Sequence, residues 1–589
     1  MLKPRGPFEG LLRFWPRIYS NQMNLPLALQ RFSLWWGLWV CAVVLSWLVP
    51  NHYPPWSGFH SDALSALALV LASAYTLWRS DSPWPWHGSA VLVAALVGVP
   101  WLQYSAGQLA YAGQAWITSL YVLGLLLALL TGLRWEKLAP GQLMDGLFLA
   151  IGMAALLSVH LQLQTWLDVI DTGIFDLWSM GLSSARPYAN LGQPNQLATL
   201  LLWGVLACAW GFLRGQVRAW VAVLMVSLLL LGVALTQSRT AWLGLTCLLL
   251  ATWVWRQRWP SKRLPWVATA LFAFFWVCPF LLRALSDALL LGVDSSYLRS
   301  GQLQSDLRVQ VWRLFLEAAW QQPWWGYGWT EVAPAQMAVA SKFPSLQGVF
   351  GHAHNLFLDL ILWLGIPLGG LVSLALLAGL LAAVRAMKNA QDAILILFLV
   401  VIGIHAMLEL PLHYAYFLLP TGMVVGVLNH RLGGLAVWAV PRWAMVLIWL
   451  GATVLLTVVV RDYLRVEASF QTLRFELAHI GNLPPDKPPE IVALTQLRER
   501  ILWKRFKAKP DMRTQELDDL RRVALVYPDM SLLYNVATAM ALNQHFEEAG
   551  TWLTRLCKIS SREECDHAKL VWAQDARANP LLAAIRWPQ

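Results

Sequence analysis

The sequence predicts an all-α polytopic membrane protein of about 13 transmembrane helices, followed by a helical C-terminal domain. Three observations carry that expectation. Hydrophobic residues make up 58% of the 589 positions and charged ones only 13%, with a mean hydropathy of +0.51, far from the balance of a soluble chain. Apolar runs of about 17 to 25 residues, the length of a membrane-crossing helix, recur along most of the sequence. Lys and Arg gather in alternate short connections between these runs. The 36 tryptophans fit the same class, because an indole ring settles at the headgroup layer with its N–H still wet.

In chain order the expected spans are Ser33–Val49, Asp62–Leu77, Ser89–Tyr104, Ala115–Leu133, Gln142–Trp166, Leu197–Leu213, Ala219–Leu235, Thr240–Trp255, Leu264–Leu282, Ile366–Val384, Ala393–Leu410, Ala415–Leu428 and Trp443–Val460. The segments beginning at Asp62, Ser89 and Ala415 are the shortest or most interrupted. Counting every span places Lys3, Arg5, Arg13, Arg17 and Arg31, then Arg134–Lys137, Arg214/Arg218, Arg256–Arg263, Arg385/Lys388 and Arg431/Arg442 on one side. By the positive-inside rule that side is cytoplasmic. The connections "NHYPPWSGFHS" and "SAGQLAYAGQ" opposite carry neither Lys nor Arg. The basic N-terminus precedes an apolar run without a small-residue cleavage site, which reads as a retained signal anchor.

Three segments fall on the other face, periplasmic in a bacterium: Asp168–Gln196, Ala284–His354 and everything after Arg461. The expected division is an N-terminal bundle (1–283), a large periplasmic loop (284–354), C-terminal spans (355–460) and a periplasmic helical domain (461–589). No Walker A or dinucleotide-binding glycine pattern is present, and the cytoplasmic loops are too short to fold as domains. A net charge of +11 invites nucleic acid, but the cations are scattered as topology signals rather than massed in one patch.

The tail stretch from Ala524 through Tyr527-Pro528, Leu533, Ala537, Ala541 and Phe546 to Ala549 has three- and four-residue apolar spacing and resembles one tetratricopeptide-like helical hairpin. An ordinary helical pair packed on the membrane domain satisfies the same pattern. Cys41, Cys208, Cys247 and Cys278 lie in apolar spans and read as small core residues. Cys557 and Cys565 lie in the tail, where an oxidising compartment permits a bridge.

Polar groups at the outer rim are the candidates for chemistry, because ionisable residues near the membrane are costly and therefore functional candidates. "LTQSRTAWLG" presents Arg239, "SDLRVQVWRLF" presents Arg308 and Arg313, "HAHN" ends the large loop, and "HAMLELPLHYAYF" supplies Glu409, His413, Tyr414 and Tyr416. All are expected on one face.

Together "ANLGQPNQLATLL", "SRTAWL", an arginine followed by "G-x-G-W", and "HAHNLFLDLILWLGIPLG" resemble the O-antigen ligase superfamily. The "NHYPPWSGFHSDAL" loop, "LELPLHYAYF" and the long tail resemble its protein O-oligosaccharyltransferase branch, the pilin-glycosylating type. Two positions depart from the pattern, Asp62 where a glutamate is usual and His413 where an aromatic is expected. The resemblance implies a C-type, inner-membrane, metal-independent glycosyltransferase without a cofactor. Its donor would be an undecaprenyl diphosphate-linked oligosaccharide, and its acceptor a hydroxyl of a protein such as a pilin. Membrane lipids are implied partners and nucleic acid is not.

Such a transfer needs charge stabilisation on a departing diphosphate and a base for the attacking alcohol. Arg239 and Arg308 match the motif arginines and are expected to grip the diphosphate, with Arg313 and Arg186 in support; a snorkelling interfacial arginine is the plainer reading of each. His354 is the expected base. Asn355 either binds substrate or caps the following helix, and His352 either participates or is a solvated loop residue. Asn190, Gln193 and Asn195 in "NLGQPNQ" are expected to bind sugar or phosphate oxygens or to shape a turn. Glu409 orients a catalytic group or forms a structural ion pair, and Tyr414 lies beside it.

Two rival classes remain. A metalloenzyme would draw on His352, His354, His405 and His413, or on Asp168, Asp171 and Asp176, but no HExxH is present. A lipid-linked glycan transporter would also line a path with arginines. Within the enzyme class, ligation to lipid A core or polymerisation of a lipid-linked glycan is the alternative to a protein acceptor.

Overall fold

The computed structural model describes residues 34–167, 178–181, 186–291, 297–434, 436–481 and 487–587, apart from the side chains of 297–306. The basic N-terminal segment and Asp168, Asp171 and Asp176 lie outside the described residues.

The helices are α1 (Leu34–Leu48), α2 (Phe59–Trp78), α3 (Gly88–Val97), α4 (Val99–Ser105), α5 (Ala112–Leu138), α6 (Gln142–Trp166), α7 (Pro194–Leu213), α8 (Ala219–Thr236), α9 (Arg239–Val254), α10 (Leu264–Ala288) and α11 (Tyr297–Gln321). They continue as α12 (Val332–Val339), α13 (Leu356–Ala386), α14 (Ala390–Ala406), α15 (Ala415–Arg431), α16 (Arg442–Leu477), α17 (Thr495–Arg505), α18 (Thr514–Val526), α19 (Met530–Leu542), α20 (Phe546–Ile559), α21 (Arg562–Ala578) and α22 (Pro580–Ala583).

The expected count of 13 spans is not reproduced. Among the described residues nine helical segments are long and apolar enough to cross a membrane by length and composition: α2, the α3–α4 pair, α5, α6, α7, α8, α10, α13 and α16. The other four expected spans, α1, α9, α14 and α15, are helices of 15, 16, 17 and 17 residues. Two of them start at side-chain caps: Ser238 Oγ accepts the Ala241 N–H at the start of α9, and Asn389 Oδ1 accepts the Asp392 N–H at the start of α14. Pro100, which has no N–H to donate, coincides with the break between α3 and α4.

The fold is nearly all-α, as expected, with two short strands besides. β1 (Trp84–His87) pairs antiparallel with β2 (Ala436–Val440), Trp84 opposite Val440 and Trp86 opposite Trp438. The partners are some 350 residues apart in sequence, beyond the reach of any local pattern.

The basic connections meet at one end of the bundle. Arg431 pairs with Glu136 at 2.8 Å and Asp392 at 3.6 Å, and the Lys388 ammonium donates to the Arg431 carbonyl at 2.7 Å. Arg258 donates to the Lys388 carbonyl at 3.1 Å, and Arg214 pairs with Asp145 at 2.8 Å.

At the other end the large loop threads into α13. Gly365 has φ +77° and ψ 167°, breaking the helix into 356–364 and 366–386 just ahead of Pro367. The backbone groups freed by the break are taken up by the loop: Tyr327 N–H donates to the Leu362 carbonyl at 2.7 Å, and Ile366 N–H to the Pro323 carbonyl at 2.7 Å. Gln103 braces the junction by donating to the Trp363 carbonyl at 2.7 Å and accepting the Trp329 N–H at 3.0 Å. A Cβ on Gly365 would clash with the Trp324 carbonyl oxygen, so no other residue fits that approach.

α16 is 36 residues long, about 54 Å, and leads from the membrane bundle into the C-terminal helices. α18 to α22 share one core built around Leu520, Leu533, Val536, Leu553 and Leu556, and Met337 and Ala340 of the large loop are buried in it. Cys557 and Cys565 are disulfide-bonded at the turn from α20 to α21. In the last turn of α20 the Lys558 ammonium donates to the Phe343 carbonyl at 3.1 Å. The C-terminal helices therefore hold the loop segment that runs toward His352.

Substituting Gly365→Ala should destabilise the chain by at least about 1–3 kcal/mol from backbone strain alone. Gly370→Ala, on the same helix with open space around its Cα, should be neutral or stabilising by up to about 1 kcal/mol. Unfolding midpoints of the two variants in one detergent check the contrast.

A candidate active site around Glu409

The sequence "HAHN" ends in a helix cap. Asn355 Oδ1 accepts the N–H groups of Phe357 at 3.1 Å and Leu358 at 3.2 Å, two of the donors that a helix start leaves free. One turn on, the buried Asp359 accepts the Ala353 N–H at 2.7 Å. Between these anchors His354 takes φ +54°, and its N–H donates to His352 Nδ1 at 3.2 Å. His352 Nδ1 is thus an acceptor, which fits a neutral ring.

The opposing turn between α14 and α15 is fixed just as tightly. The N–H groups of Leu408 and Glu409 both donate to the His405 carbonyl, at 3.0 and 2.9 Å, and Ala415 N–H donates to Asp62 Oδ1 at 2.6 Å. Asp62 is in turn held by the Tyr121 hydroxyl at 2.7 Å. This sets the Glu409 carboxylate between two nitrogen-bearing side chains: Arg308 on α11 reaches Oε1 at 2.9 Å, and His354 Nδ1 lies 3.3 Å from Oε2. Asn195 Nδ2 donates to the same Oε1 at 3.3 Å, and its Oδ1 accepts the Ser238 hydroxyl at 2.7 Å. Ser238 immediately precedes Arg239, the first residue of α9.

Arg308, His354, Glu409 and Asn195 therefore converge, with Arg239 exposed at the edge of their network. Arg313, Asn190 and Gln193 share no hydrogen bond with that network among the described residues. Arg313 is exposed, because five residues along a helix turn its side chain well away from that of Arg308. Arg186 Nε donates to the Thr236 carbonyl at 2.9 Å. The buried Asn190 spends its amide on the carbonyls of Leu48 and Trp178, both at 2.7 Å, and its Oδ1 on the Met180 N–H, so it ties a loop together. Gln193 accepts from Gln196 at 3.1 Å, and Tyr414 packs 5.2 Å from Tyr416, whose hydroxyl reaches Gln196 at 2.8 Å.

Sequence reasoning missed Asp359, Ser238 and the bracing role of Asp62. Asp359 had a signal: a carboxylate inside an apolar run.

The site's charges are strongly tuned. Burial works to raise the Glu409 carboxyl, but the His354 contact and the charges of His354, Arg308 and His352 outweigh it and hold it at about 2. Burial pushes His352 down to about 3, helped by the charges of His354 and His413, and pushes His413 down to about 4. His413 sits 5.2 Å from the Trp363 ring and 6.4 Å from His352.

His352, His354 and Glu409 also bring one ligand atom each within 4.8 Å of one another, a His₂Glu set that the residue spacing did not reveal. The same Glu409 carries the Arg308 guanidinium at 2.9 Å, so a divalent cation there would sit against a fixed positive charge.

Residues 224–373 match the family model of O-antigen ligases, residues 393–573 that of the C-terminal part of virulence factor membrane-bound polymerases, and residues 187–210 that of protein glycosylation ligases. Over 567 residues, 93% of this chain and 96% of the relative, the chain is 29% identical to a general O-oligosaccharyltransferase of Acinetobacter baylyi. Over 250 residues, 42% of this chain and 45% of the relative, it is 29% identical to a ComP-specific O-oligosaccharyltransferase of the same species. The resemblance read from the motifs is thus shared by independent stretches of the chain. Arg239, Arg308, His352, His354 and Asn355 fall in the first matched segment, Glu409 and Tyr414 in the second, and Asn190, Gln193 and Asn195 in the third.

Acid should loosen this site. His352 and His413 have folded values below the ordinary 6.5, so the unfolded chain binds more protons, and stability falls as pH drops from about 6.5 toward 3 to 4. Glu409, held below its ordinary 4.5, adds a further loss between about 4.5 and 2. The unfolding midpoint in detergent should therefore fall between pH 7 and 4.5, and His413→Phe, which removes one titrating ring, should flatten that slope.

Proposed function

We propose that this glycosyltransferase, which carries an O-antigen ligase domain, moves an oligosaccharide en bloc from undecaprenyl diphosphate to Ser or Thr hydroxyls of periplasmic proteins such as pilins. The observation that carries the reading is the placement of one carboxylate, Glu409, between Arg308 and His354. The relative that aligns along nearly the whole chain is a general O-oligosaccharyltransferase, which supports a protein acceptor.

In this reading Glu409, whose Oε2 lies 3.3 Å from His354 Nδ1, draws the ring proton to Nδ1 and aligns with it when substrate binds, which leaves Nε2 free to take a proton. The acceptor oxygen forms a bond to the anomeric carbon of the donor sugar, its proton passes to His354 Nε2, and the bond from that carbon to the diphosphate oxygen breaks. Glu409 stabilises the imidazolium that results. Arg308 bonds Glu409 through one nitrogen of a five-donor guanidinium, so most of its donors remain for diphosphate oxygens, and Arg239 offers a second fork at the edge. The guanidiniums neutralise the charge left on the departing group. Asn195 keeps the α7 and α9 ends in register with Glu409.

The site face is proposed to be periplasmic, in the bacterial inner membrane. Support comes from the basic connections at the opposite end and from the Cys557–Cys565 disulfide in the domain packed beside the site loop. The helical hairpins of α18 to α21 are proposed as a tetratricopeptide-like platform for the acceptor protein. A second reading, ligation to lipid A core or to another lipid-linked glycan, is favoured by the descriptions of the ligase and polymerase family models.

Reconstitution with an undecaprenyl diphosphate oligosaccharide, offering a pilin and a lipid A core acceptor side by side, separates these readings by which acceptor becomes glycosylated. His354→Ala should lower turnover by about 10²–10⁴-fold while donor binding persists, an outcome a transporter would not give. Glu409→Gln should lower kcat more than it changes donor KM. A chelator should leave transfer intact; chelator-sensitive transfer would assign His352, His354 and Glu409 to a metal instead.

A further inference from the structure

The large loop leaves three tryptophans uncovered: Trp320, Trp324 and Trp325 are 71%, 70% and 75% exposed. On α11 the side toward the protein buries Val311, Leu314, Phe315 and Ala318. The far side carries an exposed apolar stripe of Val309, Leu316 and Trp320, bordered by Arg313 and Glu317, and Trp324 and Trp325 continue it just past the helix end. α11 is not among the helices apolar enough to cross a membrane. It has two apolar faces, one used by the fold and one left open among the described residues.

The depth of that second face follows from two independent spans. The half of α13 after Gly365, residues 366–386, is about 31 Å long, close to the roughly 30 Å of a hydrocarbon core, so Gly365 marks its boundary. The Trp324–Gly326 backbone lies directly against Gly365 and Leu362. The α3–α4 segment, Gly88–Ser105, is 18 residues and ends at the same level, where Gln108 donates to the carbonyls of Trp325 at 3.2 Å and Gly326 at 3.1 Å. Exposed Leu102 and Tyr104 on α4 extend the patch into the lipid-facing surface.

We propose that α11 is a monotopic anchor: Leu316, Trp320, Trp324 and Trp325 seat in the headgroup–acyl boundary of the bilayer, and the helix lies along the interface plane. Indole rings favour that layer, and an amphipathic helix with its polar border in water is the form that occupies it. The same helix carries Arg308, so the anchor fixes the guanidinium at headgroup depth, where a lipid-borne diphosphate resides. That consequence rests on the proposed function; the anchor itself does not.

The test is site-directed spin labelling of the full chain in liposomes of phosphatidylethanolamine and phosphatidylglycerol. Cys41, Cys208, Cys247 and Cys278 are replaced and the disulfide is kept. Labels are placed at Trp320→Cys and, independently, at Leu316→Cys. Leu374→Cys on α13 serves as the deep lipid reference and Leu570→Cys on α21 as the water reference, both exposed side chains. The ratio of relaxation by oxygen to relaxation by a water-soluble nickel chelate is expected to be several-fold above that of Leu570→Cys and below that of Leu374→Cys. A ratio equal to Leu570→Cys, a ratio equal to Leu374→Cys, or shielding from both reagents by a second copy or another protein would each overturn the anchor. Because the measurement reads depth and not turnover, its failure leaves the catalytic reading standing, and an inactive enzyme does not affect it.

Discussion

A single partly buried carboxylate holds the candidate site together. Glu409 lies in a turn between two apolar helices, where an isolated negative charge would be costly, and it is tolerated because Arg308 and His354 sit on its two oxygens. Those two groups come from α11 and from the start of α13, elements with no reason of their own to meet. These contacts therefore do more than offset the charge of Glu409: they bring a loop helix, a helix start and an interhelical turn into one register. Asn195 and Ser238 extend the same register to the beginnings of α7 and α9.

That convergence needs a rigid frame, and the kink in α13 provides it. A helix broken at Gly365 exposes backbone donors and acceptors that a bilayer cannot satisfy, and the Pro323–Tyr327 stretch satisfies them from outside. The loop is thus pinned at the break in α13, pinned again at Phe343 by the C-terminal domain, and finally pinned at Ala353 by Asp359. Little freedom remains for His354. A residue held at positive φ between two fixed points is a backbone shaped by its surroundings rather than by its own preference.

Parts of this were legible in the sequence and parts were not. Asn355 ahead of an apolar run is an N-cap by composition alone, and it caps. Arg308 and His354 announced themselves as an arginine and a histidine beside membrane segments. Asn190 also looked like a ligand-binding amide, but only its neighbours in space show that Leu48, Trp178 and Met180 have claimed it. The His352, His354 and Glu409 grouping was invisible for a similar reason, since Glu409 lies 55 positions beyond His354 in the sequence.

By itself the sequence determined the membrane class, the helical character of each apolar run and the clustering of the basic connections, because hydropathy, capping and charge bias are local properties that each residue carries with it. Tertiary structure alone decided which side chains share Glu409, where α13 breaks, that Trp84–His87 finds Ala436–Val440 as a strand partner, and that Cys557 and Cys565 are joined. Each of these is a pairing of groups that become neighbours only when separate segments are packed against one another, and no periodicity along the chain encodes which partner a side chain will meet.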